Sequence, residues 1–394
     1  MKKIFSKDFV LILTVQTLYG FNFSGFFLLP KFLTLSLNAS AYDIGNVTAA
    51  QGIALMAGYI LIAFIPEGFQ WKKLIMAGAL MGSLSALGFL WVDSIGPFLY
   101  FLRFLQGFSF ALLFTSGGTI ISMIAPPEHL GRILGYSGLT MIITNGLSPF
   151  VFESLAALHG WRVLFIASAV FSFLAFIFSL FINVSSKDHN IYRDGKKDQS
   201  TLKESIIYIF LVLIISGAAF NILFTYYQPF ALIKGITLLS PFFIGYMITS
   251  GGSRLLLGGF ADKFGKIKIA MPSFFITGLS LIVIVFLDRN LSWLMVVSGS
   301  LLGLGHGLFF PSINAYILER VPLHSKGRFM AFFLGSFNIG FSFGVWGVGT
   351  IIKDIGYKKV FIFTAMLVLL GVVLLGLIGF KDKKKSRALN RDYV

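Results

Sequence analysis

The chain of 394 residues contains no cysteine, which excludes disulfides and thiolate metal sites. Charge is also scarce. Charged residues make up 12% of the sequence, against about 25% in an ordinary soluble domain. No polar segment is long enough to fold as a soluble domain, and the longest, SSKDHNIYRDGKKDQSTLKE, spans only residues 185–204. Signatures of catalysis are missing as well. There is no H-E-x-x-H, no G-x-S-x-G and no G-x-x-x-x-G-K-[ST], so no catalytic residue, metal ligand or cofactor is expected. The net charge of +16 does not point to nucleic acid, because the cations are scattered between apolar runs with no polar domain to hold a duplex.

What the chain has in excess is apolar and small residues. Hydrophobic residues reach 56%, mean hydropathy is +0.86, and there are 46 phenylalanines and 42 glycines. Phenylalanine fills lipid-facing surface, and glycine lets helices approach closely in lipid. A spanning helix needs about 20 mostly apolar residues. Twelve such stretches occur, over 8–33, 43–66, 73–92, 97–124, 132–158, 161–184, 204–233, 240–261, 269–288, 293–318, 329–353 and 358–380. Their length and lack of strict alternation predict helices rather than barrel strands. Lys2, Lys3 and Lys7 precede an apolar run, as in a signal peptide, but that run is long and lacks a small-residue cleavage site. It is read as an uncleaved first span.

The expected organisation is a six-helix bundle over 1–184, a linker over 185–203, a second bundle over 204–380 and a basic tail over 381–394. With the N-terminus in the cytoplasm, 23 Lys and Arg residues fall in cytoplasmic segments and seven in the opposite ones. The bias predicts cytoplasmic N- and C-termini.

The two halves repeat. IPEGFQWKK (65–73) aligns with FADKFGKIK (260–268) at an offset of 195. Pro126, Gly131 and Arg132 match Pro322, Gly327 and Arg328 at 196, and GWRVLF (160–165) matches GYKKVF (356–361) at the same offset. Phe21, Asn22 and Pro30 match Phe220, Asn221 and Pro229 at 199. Four matches in order imply duplication of a six-helix unit. Such repeats place a binding site at their interface near mid-membrane and suit rocking motions.

On these residues the chain resembles the Major Facilitator Superfamily over essentially its whole length. The family signature after the second span, approximately G-x-L-x-D-R-x-G-R-R, appears in the second half as Gly258, Asp262, Lys263, Gly265 and Lys266, with Lys268 beyond. The first-half copy is worn to Glu67, Lys72 and Lys73. A second signature, R-x-x-Q-G on the fourth span, is present as Arg103, Gln106 and Gly107. The antiporter signature G-P-x-x-G-G is reduced to SPFVFE (148–153), so antiport does not carry over. The resemblance implies an all-α membrane fold of two six-helix bundles related by a pseudo-two-fold axis. It also implies that Asp262 and Glu67 act as a latch on the cytoplasmic side; the alternative is a connector that sets loop geometry.

Ionisable residues inside spans are costly unless paired or hydrated. Arg103, Glu153, Arg254 and His306 stand out, while Lys31 lies near a span end where it can snorkel. Counting from the outer surface, Arg103 is ~9 Å deep and Glu153 ~10 Å deep at 1.5 Å per residue. Two readings follow. Either the two form a self-neutralising pair, or the pair opens and closes as Glu153 takes up and releases a proton. Arg254, among Gly251, Gly252 and Ser253, has the fork geometry that recognises carboxylates. His306, in a glycine-rich tenth span, is either a packing residue or a proton or substrate group. Asn221, Thr225 and Gln228 share one face of the seventh span. With Asn22 and Asn338 they either line a cavity or join helices.

The reading is a secondary transporter in the cell membrane (the inner membrane in a Gram-negative bacterium). It moves a small solute by alternating access, with proton coupling and an anionic or carboxylate-bearing substrate. A monomer in the lipid bilayer suffices. The rival is a proton-driven efflux pump for drugs or sugars. A non-transporting membrane sensor would need a partner domain, and the sequence shows none.

Overall fold

The computed structural model describes residues 6–65, 69–125, 129–183, 206–257, 259–321 and 326–391. The described residues form long helices in chain order: α1 (Lys7–Ser36), α2 (Ala41–Ala63), α3 (Trp71–Trp91), α4 (Pro97–Ile124), α5 (Leu130–His159), α6 (Trp161–Ser179), α7 (Ile206–Ile233), α8 (Ser240–Leu257), α9 (Lys266–Val285), α10 (Leu294–Leu318), α11 (Lys326–Ile355) and α12 (Tyr357–Arg391). Eleven of them are long and apolar enough to cross a membrane. The exception is α8, whose 18 residues include Ser250, Gly251, Gly252, Ser253 and Arg254. Its polar side turns inward, with Ser250 and Ser253 buried and Ile248, Leu255 and Leu256 exposed, and α8 is packed between α5 and α10.

Local sequence explains the irregular places. Within α1 a short 3-10 turn, Phe26–Leu28, comes just before Pro30. Proline cannot donate the backbone bond that a regular α-helix needs there. Ser40 caps α2 reciprocally with Asp43. Helix α12 differs from expectation: it runs on to Arg391, through the segment read as a tail after residue 380. Lys and Arg are good helix formers and are favoured at a helix C-terminus, so the basic run extends the helix instead of ending it.

The duplication reappears as packing. In the first half α1 packs on α5 and α6, α2 on α4, and α3 on α4 and α6. In the second half α7 packs on α11 and α12, α8 on α10, and α9 on α10 and α12, which is the same scheme shifted by six helices. The halves meet through α2 with α11 and α5 with α8, two contacts that the repeat interchanges.

The end of the bundle where α1 starts and α2 ends carries the basic segments and is called the basic face here; the other end is the far face. Several hydrogen bonds between the halves lie toward the far face. Tyr226 donates to the carbonyl of Ala41, Gln228 to that of Phe27, and Lys31 to that of Thr237. Helices α2 and α11 also come close there. A Cβ on Gly45 would sit 2.5 Å from the Tyr226 hydroxyl and 2.9 Å from the Val345 carbonyl oxygen. Gly45→Val should therefore push the far-face ends apart. A cysteine at Thr48, the sole thiol in this chain, should then react faster with an impermeant maleimide added on the far side. Unchanged labelling would show that this contact does not hold the face shut.

Candidate functional site

Between the halves lies a cavity of about 220 Å³, lined from α1, α2, α4, α5, α7, α10 and α11. Its walls are dominated by phenylalanine. Phe220 and Phe224 stack at 4.3 Å between ring centroids, and Phe23 meets Phe110 at the same distance. Polar groups are few. They are Arg103, Gln51, Thr48, Asn145, Asn221, Thr225, Asn338 and the hydroxyl of Tyr59.

Arg103 is the one cation in this lining. It is 3% exposed. Its position follows from the R-x-x-Q-G run. Gln106, one turn on, accepts from Arg103 Nη1 at 2.6 Å. Gly107 has no side chain, and the Gln51 carbonyl oxygen of α2 occupies the place a Cβ would take. That close approach brings the Gln51 side chain to Arg103 Nη2, while Nε donates to the Val47 carbonyl at 3.4 Å. All three partners are neutral. No carboxylate among the described residues pairs with Arg103.

The expected Arg103–Glu153 pair is not formed. Glu153 instead meets Lys31 Nζ at 2.6 Å. Lys31, expected to snorkel, is instead 8% exposed and also donates to the Thr237 carbonyl at 2.6 Å. Glu153 accepts from the backbone N–H groups of Leu239 at 2.9 and 3.1 Å and of Ser240 at 2.6 Å. A carboxylate on α5 of the first half thus caps the start of α8 in the second. An anion is favoured at that end of a helix. Similar depth did not imply contact, because a helix side chain is also directed by its angle around the axis.

Arg254 lies outside the central cavity. It lines a second one of about 510 Å³ nearer the basic face, between α5, α8 and α10. Gly135 and Gly138 form part of the α5 wall, and Arg254 Nη1 lies 3.2 Å from where a Cβ on Gly138 would be. Arg254 Nε is buried without a hydrogen-bond partner among the described residues. His306 sits behind the central cavity rather than in its lining. Its ring is 4.9 Å from Phe220, 5.3 Å from Phe310 and 5.9 Å from Phe337.

The amide residues divide. Asn221 lines the cavity and donates to the Phe341 carbonyl at 2.6 Å, and Thr225 donates to its Oδ1 at 3.1 Å. Asn338 also lines it. Asn22, the repeat mate of Asn221, instead joins helices, donating to the carbonyls of Ser168 at 2.9 Å and Gly82 at 3.4 Å. Gln228 is fully buried and spans the halves through Phe27. Gln51, Thr48 and Asn145 escaped the sequence reading. Their only signal is an amide or hydroxyl within an apolar run, which interhelical glue shares.

In the loop motif, Glu67 and Gly258 lie outside the described residues. Asp262 is 76% exposed and pairs with Lys266 at 3.0 Å, and Lys266 also holds Glu319 at 2.6 Å. Gly265 has φ 101°, which only glycine adopts readily, and it turns the chain from the short helix Phe260–Phe264 into α9. Lys263 lies over the Phe264 ring, Lys72 donates to the Leu180 carbonyl at 2.7 Å, and Lys73 is exposed.

Two repeated bundles of apolar helices around a central cavity are the architecture of a multi-pass membrane transporter. The chain matches the Major Facilitator Superfamily over residues 10–288 and 243–392, and it belongs to that family. An uncharacterised transporter of this type from Methanocaldococcus jannaschii is 22% identical over 358 residues, covering 86% of this chain and 89% of that one. A multi-drug resistance efflux pump homologue from Lactococcus lactis is 21% identical, covering 93% and 94%. A probable anion transporter from Arabidopsis thaliana is 32% identical over 130 residues, which is 33% of this chain and 29% of that one. Among solved structures, a nucleoside transporter shares the fold with a TM-score of 0.77 at 14% identity, covering 94% of this chain and 100% of the other.

Proposed function

We propose that this protein moves a small organic anion, a carboxylate with an apolar body, across the cell membrane by alternating access. The observation that carries the reading is Arg103. Its charge stands in an aromatic cavity with only neutral partners among the described residues. A guanidinium held by amides and a carbonyl keeps its charge, and a carboxylate can complete it by charge-assisted hydrogen bonds. The pairing of Lys31 with Glu153 strengthens the case, because it removes the span carboxylate that could have neutralised Arg103. The 32% identity to a stretch of a probable anion transporter supports the same class. The basic face is taken as cytoplasmic, and a monomer contains the whole path.

Proton coupling belongs to the same proposal. Glu153 is the carboxylate whose charge holds the halves together at the far face. Taking up a proton there would leave Lys31 uncompensated and weaken closure, so proton movement and far-face opening are linked.

The test is thermal stability of the purified protein against arylalkyl carboxylates, their matched amides and amphipathic cations, each at two pH values. Binding at 100 times Kd stabilises the folded state by about 2.7 kcal/mol. A carboxylate should raise Tm where its amide does not. The aromatic walls and the efflux-pump relative favour a second reading, export of neutral or cationic apolar drugs. Stabilisation by amides or cations as strong as by carboxylates would support that reading and refute the first.

A further inference from the structure

A third cavity lies within the second half and shares no lining residue with the two already described. It is a groove of about 580 Å³ between the basic-face ends of α9, α10 and α12. One part of its wall is apolar, made by Ile267, Met271, Leu375 and Phe380. Met271 and Phe380 are 38% and 69% exposed, so in a membrane they meet acyl chains. Gly376 leaves part of that wall bare, while at Gly379 the Ile267 side chain comes within 3.3 Å of where a Cβ would be. A Cβ on Gly376 would meet only Met271 Sδ, at 3.7 Å.

The mouth of the groove is charged. Glu319 is held by Lys266 at 2.6 Å, and Asp382 by Arg320 at 3.1 Å and by the Tyr316 hydroxyl at 3.0 Å. Both carboxylates in the lining are therefore engaged. Lys268 is exposed and has no partner among the described residues. Helix α9 starts at this mouth, and no side chain caps its first turn. The groove thus presents a cation unpaired among the described residues and a helix start at one end, with an open apolar slot running from them.

We propose that the groove binds an anionic phospholipid, with its phosphate at Lys268 and an acyl chain against Gly376. The two parts of the lining choose this occupant together. A soluble anion would gain nothing from the exposed apolar wall, and a zwitterionic lipid would bring a cationic headgroup that the same lysine repels. The basic face is also the side on which anionic lipids concentrate in the proposed orientation.

The experiment uses delipidated, purified full-length protein, with native mass spectrometry and thermal stability as readouts. Dioleoyl phosphatidylglycerol, dioleoyl phosphatidylcholine and inorganic phosphate are added separately. Phosphatidylglycerol should stay bound and raise Tm, and phosphatidylcholine and phosphate should not. Lys268→Gln should weaken phosphatidylglycerol binding roughly fivefold, the effect of one lysine near an anionic headgroup. Gly376→Leu, which fills the slot from a helical position, should weaken it without altering charge. Three results would overturn the proposal. Phosphate alone matching the lipid would mean a soluble-anion site, and phosphatidylcholine matching it would mean no headgroup recognition. Unchanged binding in both variants would place the lipid elsewhere. None of these outcomes bears on the central cavity, so the transport reading stands or falls separately.

Discussion

In Glu153→Gln, a single cysteine at Thr48 should react with impermeant maleimide from the far side roughly a hundredfold faster than in the parent. The substitution removes one charge and leaves the other buried. Lys31 would keep its ammonium group, 11% exposed as a side chain, against a neutral amide. Breaking a buried pair from one side costs about 3 kcal/mol or more, which is roughly a hundredfold in a two-state equilibrium. That cost falls on the far-closed arrangement, because there Thr237, Leu239 and Ser240 of the second half cover Lys31 and Glu153 and keep water from the unpaired ammonium. The companion variant is Lys31→Met with Glu153→Leu. It removes both charges and should recover much of the closure, although the N–H groups of Leu239 and Ser240 lose their acceptor. Equal labelling in Glu153→Gln and the parent would show that closure rests on the apolar contacts alone.

Arg103→Gln should weaken binding of a stabilising carboxylate about a hundredfold, while Arg254→Gln should cut flux with a smaller change in affinity. Losing a buried charged partner costs about 3 kcal/mol, or two decades in Kd. Arg103→Gln leaves Gln51 and Gln106 with an amide to meet and creates no unpaired charge, so folding should survive. Arg103→Lys should not restore binding, because an ammonium cannot serve Gln51, Gln106 and a carboxylate from one planar fork. Arg254 lines a separate cavity nearer the basic face, and its role would be in passage. The affinities are read by thermal shift and the flux in proteoliposomes. Unaltered carboxylate affinity in Arg103→Gln would remove the basis for an anionic substrate.

The amino-acid order is most informative where a property accumulates along the chain. The helical spans, the duplicated motifs and the R-x-x-Q-G run were legible because hydropathy and spacing are sums over neighbours. Arg103 could be named for the same reason, since a charge in an apolar run stands out whatever surrounds it. Its partner was legible only in part. Gln106 lies one turn away on the same helix, but Gln51 comes from α2 and is brought in by the missing side chain of Gly107. Asn22 and Asn221 mark the limit of the repeat. They are sequence mates, yet one bonds to the backbone of two neighbouring helices and the other lines the cavity.

The amino-acid order alone was enough for the membrane class, the doubled six-helix plan and Arg103, Glu153, Arg254 and His306 as costly groups, because each depends on local composition or on like segments recurring, but it did not reveal that Lys31 is buried. It could not assign Glu153 to Lys31, leave Arg103 with amides, or separate Arg254 from the central cavity. Those outcomes depend on how each helix is rotated about its own axis and on which half it leans against. Rotation is set by packing, where Gly107 admits α2 within the first half and the start of α8 reaches Glu153 across the interface. A depth count along one helix contains neither angle, and so the partners of the buried charges were decided by the assembled bundle.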